Sequence, residues 1–285
     1  MKDPREYFAK PKSKYISISI GTGHSGKQYS QRSISFNATQ RKFDGYEFLD
    51  CHFGDKEISQ MTFIGCRFVN CEFYGVRFKE IEFHDCVFVD SLLNKVKFFD
   101  VYIDPNSFQF NKLWKFHAAN INAYMFQALY RNMKEIFQDK FAEIADKRFR
   151  IFQRWYWITK KKKSTRDWIT TWIKITRDFT YRAITGYGYN ISNALISTFS
   201  FGVLALFVLN YFWREMCVGG VVGKVVEDVS YWEKIYFLIV TATTLGYGDM
   251  SPKSIFGMIS VSIFLLLAVL WTATVTAIFV KRIAK

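Results

Sequence analysis

Six residues, Thr244-Leu245-Gly246-Tyr247-Gly248-Asp249, could hold a bare cation with backbone oxygens. A dehydrated cation needs rings of oxygens in place of its water shell, and carbonyls supply them if successive ones point the same way. An ordinary strand alternates its carbonyls, so some residues of such a run must take φ > 0, which glycine does without steric cost. Gly246 and Gly248 stand at every second place. Leu245, Gly246 and Tyr247 then offer carbonyls, Thr244 adds a carbonyl and a hydroxyl, and Asp249 puts a carboxylate at the end. A second triplet, Gly186-Tyr187-Gly188, lacks the threonines and follows a basic stretch, so it reads as a turn between helices.

The flanking chain must place those carbonyls. Ala194–Trp213 is 20 residues without a charge and Ser254–Val280 is 27; a helix needs roughly 20 to cross the hydrocarbon. Between them Ile235–Gly248 is uncharged but only 14 residues long. It suits a re-entrant helix and an irregular run, tolerated at membrane depth only where protein buries it or it lines a water-filled path. Ser230 with Glu233 three places on predicts the helix start. The helix C-terminus then aims partial negative charge at a cation.

This arrangement resembles the two-span potassium-channel family of bacteria, with its T-x-G-Y-G-D filter. The resemblance implies a first span over 191–213, a pore helix over 230–243, the filter at 244–249 and a second span over 254–280. K⁺, the permeant ion rather than a cofactor, would bind at Thr244, Leu245, Gly246 and Tyr247, with the Tyr247 ring turned outward to brace the filter. One filter strand cannot enclose an ion, which implies a homotetramer around one axis. Val269, Thr272, Thr276 and Val280 recur at helical spacing. By resemblance they line the cavity and gate; the plainer reading is that this face packs on the first span. Val240 stands where some relatives carry a Glu that pairs with the filter Asp, and Ala268 where a hinge glycine is common.

Charge predicts orientation. The chain carries net +14, nearly all of it before the first span, and the segment between spans is slightly acidic. Basic flanks stay inside, so both termini are expected in the cytoplasm of a bacterial cell, with the protein multi-pass in the inner membrane. No span carries regularly spaced arginines, which argues against an intrinsic voltage sensor. No paired catalytic constellation points to an enzyme.

A period of five runs through Phe43, Phe48, Phe53, Phe63, Phe68, Phe73, Phe78, Phe83, Phe88 and Phe98, with Ile58 and Leu93 filling gaps and Ile103 and Phe108 continuing it. Smaller residues, among them Cys51, Cys66, Cys71 and Cys86, stand two before. Helix and sheet periods do not give fives. The pattern resembles the pentapeptide repeat, a right-handed quadrilateral β-helix with 20 residues per coil, expected here over 41–108. Cys51 and Cys71, like Cys66 and Cys86, are 20 apart and should stack as buried thiols; their spacing lacks the pairing of a zinc site. Lys56 falls at an inward place, predicting a distorted corner. Some pentapeptide proteins mimic DNA, but 41–108 carries only net −4; an assembly or docking role for an unknown cytoplasmic partner is the simpler reading.

Residues 109–163 predict a helical hairpin linker, with helices over about 118–140 and 141–159. Residues 164–190 predict an amphipathic helix with Trp168, Trp172, Ile175 and Phe179 on one face. Positive charge beside them suits anionic inner-leaflet lipids and accounts for the basic composition without nucleic acid. Residues 1–40 read as a basic segment. Within it Tyr15–Ile20 is a possible strand, and Gly21–Lys27 has P-loop spacing, but Gln28 replaces the Mg²⁺-binding Ser or Thr. The expected fold is therefore mixed: a β-helix, a helical linker and an all-α two-span pore domain. A non-selective cation channel is the near alternative, opposed by Tyr247; a membrane-tethered scaffold or inhibitor is the alternative from another class.

Overall fold

The computed structural model describes residues 16–20, 28–36, 40–54, 56–162, 164–211, 230–248, 250, 252 and 255–283. Along the chain it divides into two units, one ending at Thr176 and the other beginning at Arg177.

The five-residue period folds as a β-solenoid of about 4 turns. Its described strands are β1 (Ile16–Ile20), β2 (Gln28–Ser30), β3 (Arg32–Phe36), β4 (Lys42–Asp44), β5 (Glu47–Leu49), β6 (His52–Phe53), β7 (Glu57–Ile64), β8 (Arg67–Val69), β9 (Glu72–Tyr74), β10 (Arg77–His84), β11 (Val87–Val89), β12 (Leu92–Asn94), β13 (Lys97–Ile103) and β14 (Phe108–Gln109). They pair in parallel in three sheets, β1-β3-β6-β9-β12, β4-β7-β10-β13 and β2-β5-β8-β11-β14. Phe68 lies opposite Phe88, Phe73 opposite Leu93, Phe78 opposite Phe98 and Phe83 opposite Ile103, so one coil takes 20 residues. Three sheets enclose four sides because β7, β10 and β13 each cover two, bending at Gln60, Glu80 and Asp100, where φ is 55°, 53° and 53°. Other corners, among them Gly65, Asn70, Gly75, Asp85 and Asp90, also have positive φ, a backbone region that Gly, Asn and Asp enter most easily.

The core is a column of stacked rings. Phe68 lies 5.0 Å from Phe48 and 4.6 Å from Phe88, nearly parallel to both, and meets Phe63 and Phe73 of adjoining sides at steep angles. Parallel pairing along the axis and edge contacts between sides are both favourable aromatic geometries. The four described cysteines, Cys51, Cys66, Cys71 and Cys86, stack in pairs as expected and are free and buried. Each thiol donates to two carbonyls, Cys71 to Phe48 and Val69 and Cys86 to Phe63 and His84. Burial raises the Cys71 thiol well above its ordinary pKa, and the Cys66 thiol together with burial does the same at Cys86. Cys71 and Cys86 are thus held as neutral thiols, while the hydrogen bond within each pair lowers the partner thiols Cys51 and Cys66.

The solenoid begins before residue 41. Strands β2 and β3 join the sheets, with Tyr29 opposite Phe48 and Ile34 opposite Phe53. These pairs are 19 apart, one short of the regular coil, so a count in fives from Phe43 passes them by. β1 extends the sheet through β3; Gly21–Lys27 lies outside the described residues. Lys56 keeps its backbone place, its carbonyl accepting from Arg77 N–H at 2.9 Å, while the side chain is exposed.

Four helices follow: α1 (Lys112–His117), α2 (Ala119–Glu135), α3 (Asp139–Thr159) and α4 (Thr165–Thr185). α2 and α3 pack together as the expected hairpin, and α2 also lies on β12 and β13. Phe126 sits 5.8 Å from Phe108 of the last coil and 5.5 Å from Phe152 of α3. Asn132 serves as a substitute strand: its Nδ2 donates to Val101 O at 2.7 Å and its Oδ1 accepts from Val101 N–H at 3.1 Å. That closes the sheet edge.

The second unit carries α5 (Ile191–Tyr211), α6 (Tyr231–Ala242) and α7 (Ile255–Ile283). Ile191–Asn210 and Ile255–Val280 are long and apolar enough to cross a membrane, and only 6% and 11% of these spans is buried within the chain. Such apolar, uncovered helices suit lipid or other protein around them rather than a soluble core.

Candidate ion-conduction site

α6 starts where the capping pair predicts. Ser230 Oγ accepts from Glu233 N–H, and the Glu233 carboxylate accepts from Ser230 N–H at 2.7 Å. α6 packs between α5 and α7, burying Phe237 and Val240, and Lys234 Nζ donates to Asn210 Oδ1 of α5 at 2.8 Å. The helix end is tied off locally. Thr243 Oγ1 donates to Ile239 O at 2.7 Å, Thr244 N–H to Thr241 O and Leu245 N–H to Val240 O, both at 3.1 Å. Val240, where a Glu was the alternative, thus contributes its carbonyl and an apolar side chain.

Beyond that tie the backbone alternates. Thr244, Gly246 and Gly248 have φ of 59°, 53° and 77°, while Leu245 and Tyr247 between them do not enter the positive-φ region. Such alternation turns successive peptide planes so that carbonyls can share one side. Positive φ at Gly246 and Gly248 matches the sequence expectation. At Thr244 it was not expected, because a β-branched residue enters that region at a steric cost. Leu245 is 60% and Tyr247 68% exposed within the single chain, so this chain alone does not brace the Tyr247 ring. Asp249 lies outside the described residues.

The second triplet behaves differently. Gly186, Tyr187 and Gly188 have three consecutive positive φ values, 55°, 64° and 77°. Thr185 Oγ1 accepts from Gly188 N–H at 3.1 Å, and the buried Tyr187 donates its hydroxyl to Asp178 at 3.3 Å. It is a helix-to-helix turn.

α7 runs unbroken through Ala268, which is buried. Its buried or half-buried face includes Gly257, Phe264, Ala268, Trp271, Val275 and Ile278, whereas Val269, Thr272, Thr276 and Val280 are all exposed within the chain. The latter four are therefore not the face that packs on α5. Sequence reasoning missed the bond that fixes this rotation: Trp271 Nε1 donates to Thr198 Oγ1 of α5 at 2.9 Å, and Phe201 stacks on both Phe264 and Trp271 at 6.0 and 5.9 Å. The legible signal was an indole N–H in a span with few polar groups, which needs an acceptor. An apolar groove of about 310 Å³ lies between α5, α6 and α7, lined by residues such as Phe201, Leu204, Phe237 and Phe264.

Residues 193–285 match the family model described as ion channel. The match takes in nearly all of α5, all of α6 and α7 and the alternating run, so this segment is similar to an ion-channel domain, and its two apolar helices suit a membrane. The solenoid and hairpin lie outside it. No solved structure matches the chain.

Proposed function

We propose that the protein is a homotetrameric, potassium-selective channel that conducts K⁺ passively through the backbone carbonyls of Thr244–Gly248, with Asp249 at the outer mouth. The observation that carries this reading is the alternation of positive φ at Thr244, Gly246 and Gly248, directly after a 12-residue helix and between two apolar spans. A carbonyl ladder behind a helix C-terminus favours a dehydrated cation. Tyr247 supports selectivity for K⁺ over a general cation pore. The four-fold assembly follows from geometry: one strand cannot ring an ion, and Leu245 and Tyr247 expose large apolar surface in one chain. Val269, Thr272, Thr276 and Val280 would line the lower path, since the opposite face of α7 is occupied by α5. The solenoid's five-residue period supports a cytoplasmic pentapeptide-repeat domain for assembly, docking or regulation, and the charge distribution supports both termini inside a bacterial inner membrane.

The test is the reversal potential of purified protein in planar bilayers under opposed K⁺ and Na⁺ gradients, with Gly246→Asp as control. The expected result is a shift toward the K⁺ equilibrium potential that the substitution abolishes. Ohmic currents without selectivity would replace this reading with a general cation pore.

A further inference from the structure

The hairpin carries a groove that the solenoid does not use. Asn120, Tyr124 and Gln127 follow helical spacing on the side of α2 away from Leu129 and Met133. Phe149, Gln153, Tyr156 and Trp157 follow i, i+4, i+7, i+8 on α3. The two rows line a groove of about 160 Å³. Gln127, Gln153, Tyr156 and Trp157 are half-buried there. Among the described residues, no side-chain hydrogen bond is made by the Asn120, Gln127 or Gln153 amide, the Tyr156 hydroxyl or the Trp157 indole N–H. Covered Tyr and Trp polar atoms ordinarily find a partner, so the groove holds unspent donors and acceptors beside flat rings. A Gln or Asn amide offers both in one plane and pairs with the edge of a nucleobase. Aromatic faces take a base by stacking.

Tyr156 and Trp157 also line a polar cleft of about 330 Å³ at the junction of α3 and α4. Lys160, Lys161, Lys162 and Lys174 face Asp167 there, and none of the four makes an ion pair with a described carboxylate. Lys160 Nζ lies 5.9 Å from the Tyr156 ring, so positive charge begins where the aromatic groove ends. Thr170 and Thr171 direct their hydroxyl protons to Asp167 O, at 3.1 and 2.7 Å, which leaves donation into the cleft to the ammonium groups. The Asp167 carboxylate is an acceptor suited to a sugar hydroxyl. Groove and cleft together reach the size of small-molecule sites, about 300–1,000 Å³. A hydrocarbon chain would leave the groove's amides unpaired, at a cost in free energy; a base would not. We propose that groove and cleft together bind a nucleoside polyphosphate, its base between α2 and α3 against Tyr156 and Trp157 and its phosphates among the four lysines. The bound nucleotide ties the hairpin to α4, and the site stands whether or not the pore selects K⁺.

Full-length protein in neutral detergent is titrated calorimetrically with ATP, GTP, CTP and UTP, and with tripolyphosphate and adenosine. At least one nucleotide should bind about tenfold or more tightly than tripolyphosphate and than adenosine. Combined Gln153→Leu and Trp157→Leu should weaken that nucleotide about tenfold and leave tripolyphosphate within about twofold, which also shows that the variant is folded. Combined Lys160→Gln, Lys161→Gln, Lys162→Gln and Lys174→Gln should weaken nucleotide and tripolyphosphate alike, about tenfold or more. Lys42→Gln, Lys56→Gln, Lys79→Gln and Lys97→Gln, exposed on the solenoid, should leave both within about twofold. No binding of any of the four nucleotides at millimolar concentration would overturn the proposal. So would binding that survives the cleft quartet, or equal losses in the two quartets. Tripolyphosphate binding as tightly as every nucleotide would overturn the base assignment in favour of a bare phosphate site. Single-stranded RNA binding more tightly than any nucleotide, and weakened by both sets of substitutions, would replace the small ligand with a nucleic acid.

Discussion

Two Gly-Tyr-Gly triplets in one chain separate residue type from backbone conformation. At 186–188 the left-handed residues are consecutive and close a turn; at 244–248 they alternate with residues outside that region. A Cβ on Gly186 would come within 2.6 Å of Asn190 Cβ, whereas one on Gly246 would meet nothing within 4 Å. Among the described residues of one chain, Gly246→Ala is opposed by its φ of 53°, a strain of about 1–2 kcal/mol per chain. It should impair K⁺ selectivity in bi-ionic reversal potentials, while Gly186→Ala should lower thermal stability and leave selectivity intact. Unaltered selectivity in Gly246→Ala would mean that the left-handed carbonyl geometry is not what discriminates ions. The glycines were legible because their conformational need is local. The left-handed Thr244 was not, because threonine's own preference opposes it and only the tie from the end of α6 imposes it. The Trp271–Thr198 bond depends in the same way on which helix faces which. Thr198 gives its own proton to Ala194 O at 2.7 Å and receives the indole proton on the same oxygen. A double-mutant cycle of Trp271→Phe and Thr198→Val, measured by unfolding in mixed micelles, should show a coupling of roughly 0.6 to 1.7 kcal/mol. No coupling would leave the rotation of α7 to ring stacking alone.

At the scale of elements, the sequence carried the solenoid because its period is covalent: each side takes five residues, and each corner returns the same inward place. The first coil was hidden by one missing residue, a shift that register reveals and counting does not. The corners were less readable: Gly, Asn and Asp occupy many of them, but Gln60, Glu80 and Lys95 take the same left-handed backbone. What ends the solenoid was not readable, since it depends on a helix placed over the last coil. Val101 is fully buried and both of its backbone groups bond to Asn132, so Asn132→Ala leaves a donor and an acceptor dry. At about 1–3 kcal/mol for each unsatisfied group, the substitution should cost about 2–6 kcal/mol in denaturant unfolding, with faster hydrogen exchange at β13 than at β7. Exchange that rises equally in both strands would point to global destabilisation rather than an opened edge. The hairpin itself was legible from helical spacing, but its apolar face has two possible partners in any sequence-level reading, and only the fold shows that β12, β13 and Phe108 take it up.

For the whole molecule, the dependence of α2 on the solenoid decides where the chain can be divided. Phe126, Leu129 and Met133 are buried against the last coil and α3. Removing residues 1–108 would strip the solenoid but keep α2, uncovering that apolar face in water, and contiguous patches of this kind associate. Removing residues 1–163 would take away solenoid and hairpin together and leave α4, α5, α6 and α7, whose exposed surfaces are those suited to lipid and to neighbouring copies. The shorter deletion should therefore aggregate in detergent. The longer one should elute as a single oligomer by light scattering and, if the pore reading holds, retain K⁺ over Na⁺ in the reversal-potential measurement. A monodisperse 1–108 deletion would show that the hairpin is stable without the solenoid. Loss of the oligomer in the 1–163 deletion, with selectivity kept in what still assembles, would assign assembly to the solenoid and hairpin and ion discrimination to the spanning helices alone.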